Sequence, residues 1–346
     1  MKKYLALLLM VCLVLSVAAG GLTAAAADAE PEYKLGMGVS LNMDSSKEGN
    51  AQVDATVAAV VLDAEGKIVA AKLDVAQNKM DITDGEVDTE KEFLSKVELG
   101  DDYNMVKFSD ATLEWYQQAA AFEEYVIGKT ADEVGGMETV VNEEGHQVTT
   151  DEALYASCSI SIGDFQEAIV KACNDEQGQT FTTAGECTLG LAVISTADES
   201  VAATKDEDGV VKMYTDYAAV ALDPDGKILA AVTDATQPQI TIDVDGAIVD
   251  TAFKGTKREL KEDYNMVKFS DATLEWYQQA QNFVDYCVGK TAEDLRATET
   301  ELNEEGHQVF VDEALYASVS ISVDGLIDVV AKAADNAAVP AAEKAA

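Results

Sequence analysis

Basic residues and histidines are scarce in this sequence of 346 residues: 24 Lys and Arg stand against 64 Asp and Glu, a formal net charge of −40, with two histidines. A surface so balanced repels phosphate backbones and anionic headgroups, which excludes nucleic acid as a partner. His146 and His307 stand at matching places in two copies of EEGHQV, so a site built from several histidines would need a close interface between the copies. Cysteine is sparse too, at five residues, and no C-x-x-C or Cys/His cluster is present, which argues against structural zinc. Past the N-terminal segment no apolar run is long enough to cross a bilayer, so stable membrane insertion is not expected.

That N-terminal segment carries Lys2 and Lys3, an apolar run over 4–17, and small residues as far as Ala27. It reads as a secretory signal peptide over 1–27, with Ala25 and Ala27 suiting cleavage before Asp28. Cys12 lies within the run without a lipoprotein context, so the expected location is secreted or cell-surface, without a lipid anchor. Apolar residues make up 48% of the chain, enough for a packed core despite the charge.

The rest is a tandem duplication. Residues 102–119 read DYNMVKFSDATLEWYQQA, and residues 263–280 repeat them letter for letter. LDAEGKIVAAKLD from Leu62 matches LDPDGKILAAVTD from Leu222, and DEALYASCSIS from Asp151 matches DEALYASVSIS from Asp312. The order of pieces is kept, which places one module over 31–175 and a second over 183–337, with a disordered Ala-rich tail over 338–346. The polar junction over 174–180 predicts that each module folds by itself.

Within the first module, strands are expected over 33–43, 53–62, 67–75 and near 80–82, with Val69, Ala71, Leu73 and Val75 alternating onto one buried face. A helix is expected over 110–127, with Trp115, Ala119, Phe122 and Val126 on one stripe. Gly128 should stop it, and Thr130 with Glu133 should cap another. A strand over 157–162 and a closing helix over 164–172 complete an α+β module of one small antiparallel sheet with packed helices.

Motifs that resemble known sites fail on spacing. The turns at Asp63, Asp223 and Asp243 offer spaced carboxylates, but Gly66 and Gly226 stand fourth, not sixth as a calcium loop requires. Gly128-Lys129-Thr130 and Gly289-Lys290-Thr291 end like a phosphate-binding loop, but Glu123 and Val284 stand where its first glycine belongs. Ser157 or Ser159 with His146 could form part of a nucleophilic triad, yet no G-x-S-x-G elbow supports it. Cys158, Cys173 and Cys287 stand opposite Val319, Ala334 and Val126, which points to buried free thiols, with a Cys173–Cys187 bond left open.

The hairpin with G-K-I wording, the DEALYASCSIS segment and the final helix together resemble the FMN-binding domain of exported flavoproteins. Each module also resembles, over nearly its whole length, uncharacterised exported proteins of anaerobic Firmicutes. The first resemblance implies FMN, or another small planar redox ligand, held for extracellular electron transfer without enzymatic turnover. It places Asp151, Ala156 and Ser157 on the family motif, with Asp312, Ala317 and Ser318 in the second copy. Ser157 and Ser318 would then carry FMN through a phosphoester, while Tyr155 and Tyr316 occupy the family's glycine position. The alternative is an extracellular surface or interaction protein with no cofactor.

Overall fold

The computed structural model describes residues 31–183 and 185–338, so the expected signal peptide and all but the first residue of the expected tail lie outside the described residues. In the first repeat β1 (Glu32–Asn42), β2 (Asn50–Leu62) and β3 (Ile68–Asp81) form an antiparallel meander. Asp63 makes the β2–β3 turn: its Oδ1 accepts the N–H of Glu65 at 3.0 Å and of Lys67 at 2.8 Å. Gly66 supplies the positive φ of 75° that closes it. The residues expected near 80–82 continue β3 rather than forming a further strand.

Val69 departs from the expected alternation. The register shifts by one residue between Val61 and Leu62, leaving Val69 as the extra residue of a bulge, 41% exposed, while Ile68 joins Ala71, Leu73 and Val75 in the core.

Helix α1 (Lys96–Leu99) starts at a Ser95–Glu98 capping box. Helix α2 (Trp115–Val126) begins at the first residue of the apolar stripe, five residues later than the expected start at 110. The carboxylate of Glu114 accepts the N–H groups of Met105 at 2.8 Å and Val106 at 3.3 Å, holding 109–114 against the preceding turn and outside the helix. As expected, Gly128 (φ 81°) ends this segment and a Thr130–Glu133 capping box opens the next helix, Ala131–Gly135. The strand expected over 157–162 does not form. Asp151 caps a short helix, Glu152–Tyr155, by accepting from Ala153 N at 2.9 Å and Leu154 N at 3.0 Å, and the side chain of Gln118 takes the Ser159 N–H at 2.9 Å. Local caps and a side-chain amide thus satisfy groups that a strand would need a ladder to satisfy. Helix α3 (Gly163–Cys173) closes the repeat.

The junction then contributes β4 (Gln179–Thr182), which pairs antiparallel with β1. The second repeat supplies β5 (Thr188–Thr196), β6 (Tyr214–Leu222), β7 (Ile228–Thr236), α4 (Trp276–Cys287) and α5 (Asp324–Ala338). Of the five antiparallel sheets among the described residues, the two that face each other have the orders β3-β2-β1-β4 and β7-β6-β5. Gly36 and Gly190 allow α3 and α5 to lie directly on β1 and β5, since a Cβ at either glycine would collide with a helix carbonyl, of Ala172 or Ala333 respectively.

The fold is α+β, layered helix, sheet, sheet, helix. Ala58, Val60 and Leu62 face Trp115, Phe122, Phe165 and Ile169 on one side of β2. On its other side Ala55, Val57, Ala59 and Val61 meet Leu189, Leu191, Tyr217, Ala219 and Val232 of the second repeat. Ala218, Val220 and Leu222 then pack on Trp276, Phe283, Val329 and Val330. Each repeat thus has its own helix–sheet core, and the two also share a central core between the sheets, so their burial is not independent. A further cluster joins Val53, Met80 and Ile82 to Val211, Ile240 and Ile242 at one end of the sandwich.

Candidate functional site

Ser157 and Ser318 sit at the ends of the short helices Glu152–Tyr155 and Glu313–Ser318. Each hydroxyl is turned inward on its own chain, donating to Leu154 O at 3.2 Å and to Leu315 O at 2.9 Å. Ala156 has right-handed helical backbone, φ −64° and ψ −22°, and Tyr155 and Tyr316 are exposed at the glycine positions. A helical turn occupied by a tyrosine is not the open, glycine-permitted turn on which a modifying enzyme could reach the hydroxyl. The residues around Ser157 and Ser318 do not fit a covalently held flavin.

His146 and His307 are exposed turn residues, each within 4.0 Å of a neighbouring glutamate, Glu144 or Glu305. Trp115 and Trp276 are 3% exposed in the helix–sheet cores, so neither is free to stack on a ligand. Cys158, Cys173, Cys187 and Cys287 are all free thiols. Burial pushes Cys158 up to about 12 and Cys173 to about 11, which leaves them protonated and poor nucleophiles. Among the described residues no group of three or more His, Cys, Asp or Glu is placed to hold a metal ion.

The concave site lies elsewhere, on the flank where the edge of β3 meets the edge of β5. A cavity of about 290 Å³ opens there between the two repeats, lined by Lys72, Leu73 and Asp74 from β3, Tyr116, Ala120 and Glu123 from α2, Thr188 to Leu191 from β5, and Asn336 and Ala337 from α5. Glu123 organises one wall: its Oε1 accepts the Leu73 N–H at 2.8 Å and its Oε2 the Lys72 ammonium at 3.0 Å. Burial pushes the Glu123 carboxyl upward, and Lys72 works against that shift. Asp74 is buried beside it, accepting from Val75 N at 2.7 Å and Val97 N at 3.1 Å, and desolvation raises it to about 6. On the other wall Asn336 Nδ2 donates to Leu191 O at 2.8 Å, and Lys332 Nζ donates to Val193 O at 2.8 Å while pairing with Glu98 at 2.6 Å.

The duplication supplies a control, because the opposite flank brings the equivalent elements together. There β4 covers the edge of β1, and Gln179 Oε1 accepts the Ala231 N–H at 2.8 Å. Arg258 and Asp175 form a two-point ion pair at 3.0 and 3.1 Å, with both side chains 8% exposed. The counterparts of Arg258 and Asp175 on the open flank are Val97 and Asn336, and the counterparts of Lys72 and Glu123 on the filled flank are Val232 and Val284. Lys171 pairs with Glu259 at 3.1 Å just as Lys332 pairs with Glu98. One flank is thus sealed by a strand and a buried ion pair, and the other is left open with a charged pair on its wall.

No sequence motif singles out Lys72, Asp74 or Asn336, and Glu123 stands out there only as the residue that breaks the phosphate-loop spacing. The signal was present as an internal co-variation: a charged pair in one repeat replaces a valine pair in the other, at positions that turn out to face each other. No family model, no curated protein and no solved structure matches this chain.

Proposed function

We propose that this is an exported, non-enzymatic binding protein whose ligand is held on the open flank between β3 and β5. The observation that carries the reading is the asymmetry of the two flanks in a duplicated chain, since a duplication used only for stability would be sealed alike on both sides. The cavity is within reach of the size of small ligand sites and combines apolar walls with a few placed polar groups. The signal-peptide-like N-terminus supports export, and the acidic surface favours neutral or basic ligands.

Ala337 lines the cavity from the end of α5 and is half-buried beside Gly190, so Ala337→Trp should plug the site, and its thermal midpoint is measured beside the parent's to separate plugging from loss of fold. Native mass spectrometry of the full chain, purified from its own host, should show a bound species that Ala337→Trp loses. A ligand retained by the plugged variant would remove this flank as the site. Flavin absorbance retained by that variant, but lost with Ser157→Ala and Ser318→Ala, would restore the flavoprotein reading instead.

A further inference from the structure

We infer that the open edge of β5 is a strand-addition site for an extended peptide segment of a partner chain. This rests on the reading of the open flank as a binding site and names the chemistry of its ligand.

The template is in the molecule itself. On the filled flank β4 hydrogen-bonds to the edge of β1, with Leu35 opposite Gln179 and Tyr33 opposite Phe181. Phe181 turns into the space between the sheets, 7% exposed, and stacks on Tyr33 with ring centroids 5.7 Å apart. β5 is the counterpart of β1, yet it is the outermost strand of its sheet. An added strand would make that sheet four-stranded like the first and would lie over β3 as β4 lies over β7.

The backbone groups point the right way. The carbonyls of Val193 and Leu191 face the open edge, because Lys332 and Asn336 reach them from that side. The period of two along a strand then aims the N–H and C=O of Leu189 at the cavity as well. Lys332 and Asn336 blunt the far end of this edge, and the near end, at Thr188 and Leu189, is the stretch that lines the cavity.

Among the described residues the second repeat supplies no strand to its own edge, and local sequence accounts for the longer closing helix found there instead. After α3 the chain reads NDEQG from Asn174, a turn that brings Gly178 so close to Leu35 O that a Cβ there would collide. The matching residues from Asp335 read DNAAV, and helix α5 runs on through Ala338 where α3 stopped at Cys173, the counterpart of Ala334. Alanines prolong the helix, and valine stands where the glycine made the turn.

The partner's chemistry follows from the walls. Main-chain pairing supplies affinity, an apolar or aromatic residue in the position of Phe181 enters the inter-sheet space, and the chain's net charge of −40 selects against acidic residues. The segment expected is neutral to basic, with β-branched residues alternating about one aromatic.

The probe is a fluorescein-labelled peptide Gly-Gln-Thr-Phe-Thr-Thr, the sequence of residues 178–183, titrated with the full chain and followed by anisotropy. Saturable binding is expected, weakened at least about tenfold by Ala337→Trp. N-methylation at the Gln and Phe of the peptide, whose amides would face β5, should weaken it as much, and N-methylation at the first and second Thr of Thr-Phe-Thr should not. Absence of saturable binding, or binding indifferent to the N-methylated positions and to Ala337→Trp, overturns the inference. A non-peptide ligand lost in Ala337→Trp, with no peptide bound, sinks strand addition and leaves the flank as the site. Self-association of the chain that Ala337→Trp abolishes would make a second copy the occupant and overturn the assignment to a separate partner.

Discussion

Arg258 of the second repeat and Asp175 at the end of the first form a buried, two-point ion pair, Nη1 to Oδ2 at 3.0 Å and Nη2 to Oδ1 at 3.1 Å. The same carboxylate accepts the Met37 N–H at 3.1 Å, so one side chain ties α3, β1 and the second repeat together. Arg258→Ala strands a buried carboxylate and should cost about 3 to 5 kcal/mol in urea unfolding. Arg258→Met with Asp175→Leu removes both charges and should cost clearly less than the single change. Equal losses would mean that packing of the arginine stem, not charge, fixes this flank.

Separated repeats should not fold as monomers. Cutting the chain into 28–177 and 178–346 exposes the apolar faces built from Val57, Val61, Leu191, Tyr217 and Val232, which each half buries against the other. The expected result is no cooperative thermal transition for either fragment alone, and recovery of one on mixing. A sharp transition in an isolated monomeric half would show that the inter-sheet core is dispensable.

Two aromatics in the duplicated segment should respond oppositely to truncation. Trp115 is 3% exposed and meets Phe165 edge-on with centroids 5.8 Å apart, so Trp115→Ala should cost about 3 to 5 kcal/mol. Because the repeats share a core, that loss should lower the single transition of the whole chain. Phe108 is 78% exposed, and Phe108→Ala should cost less than about 0.5 kcal/mol. A large loss at Phe108 would reveal a contact made outside the monomer.

Stability contributed by three buried carboxyls should fall as pH rises from about 4 to 7. Burial raises Asp74 and Asp234 to about 6 and Asp216 to about 7, from an ordinary value of 3.8. The folded chain therefore holds these protons more tightly than the unfolded chain, and in this window each added pH unit favours unfolding. Asp74→Asn keeps the acceptor oxygen without the charge. Relative to the parent it should gain stability as pH rises from about 4 to 6, by roughly 1 kcal/mol or more in all, with little further gain above pH 7. Parallel urea midpoints for the two proteins across the range would contradict the assignment.

Co-expression with a flavin transferase should leave the mass of the chain unchanged, because Ser157 and Ser318 close helical turns and donate to Leu154 O and Leu315 O. Intact-mass analysis checks this beside a protein bearing the flavin-attachment motif. Addition of one FMN per repeat would show that the turns open in the cell.

Short-range chemistry was legible in the sequence. The Asp63 and Asp223 turns, the capping boxes at Thr130 and Thr291, and the stripe of Trp115, Ala119, Phe122 and Val126 all form as local pattern requires, because each is decided within a few residues. The segment from Ser157 to Ile162 does not form the expected strand because its backbone donors go to Leu154 O, Gln147 O and the side chain of Gln118, and Gln118 is distant in sequence. Two-sided burial also has a signal: VAAVVL from Val57 and YAAVAL from Tyr217 are apolar at every position, where a sheet with one wet face would alternate. What the sequence could not state is which surfaces those second faces would meet. Tertiary packing decided that the two sheets cover each other, that the junction lends β4 to one edge, and that the matching edge of β5 stays open between Lys72, Glu123 and Asn336. Caps and turns depend on neighbours along the chain, whereas an open edge exists only by virtue of what distant segments do not cover.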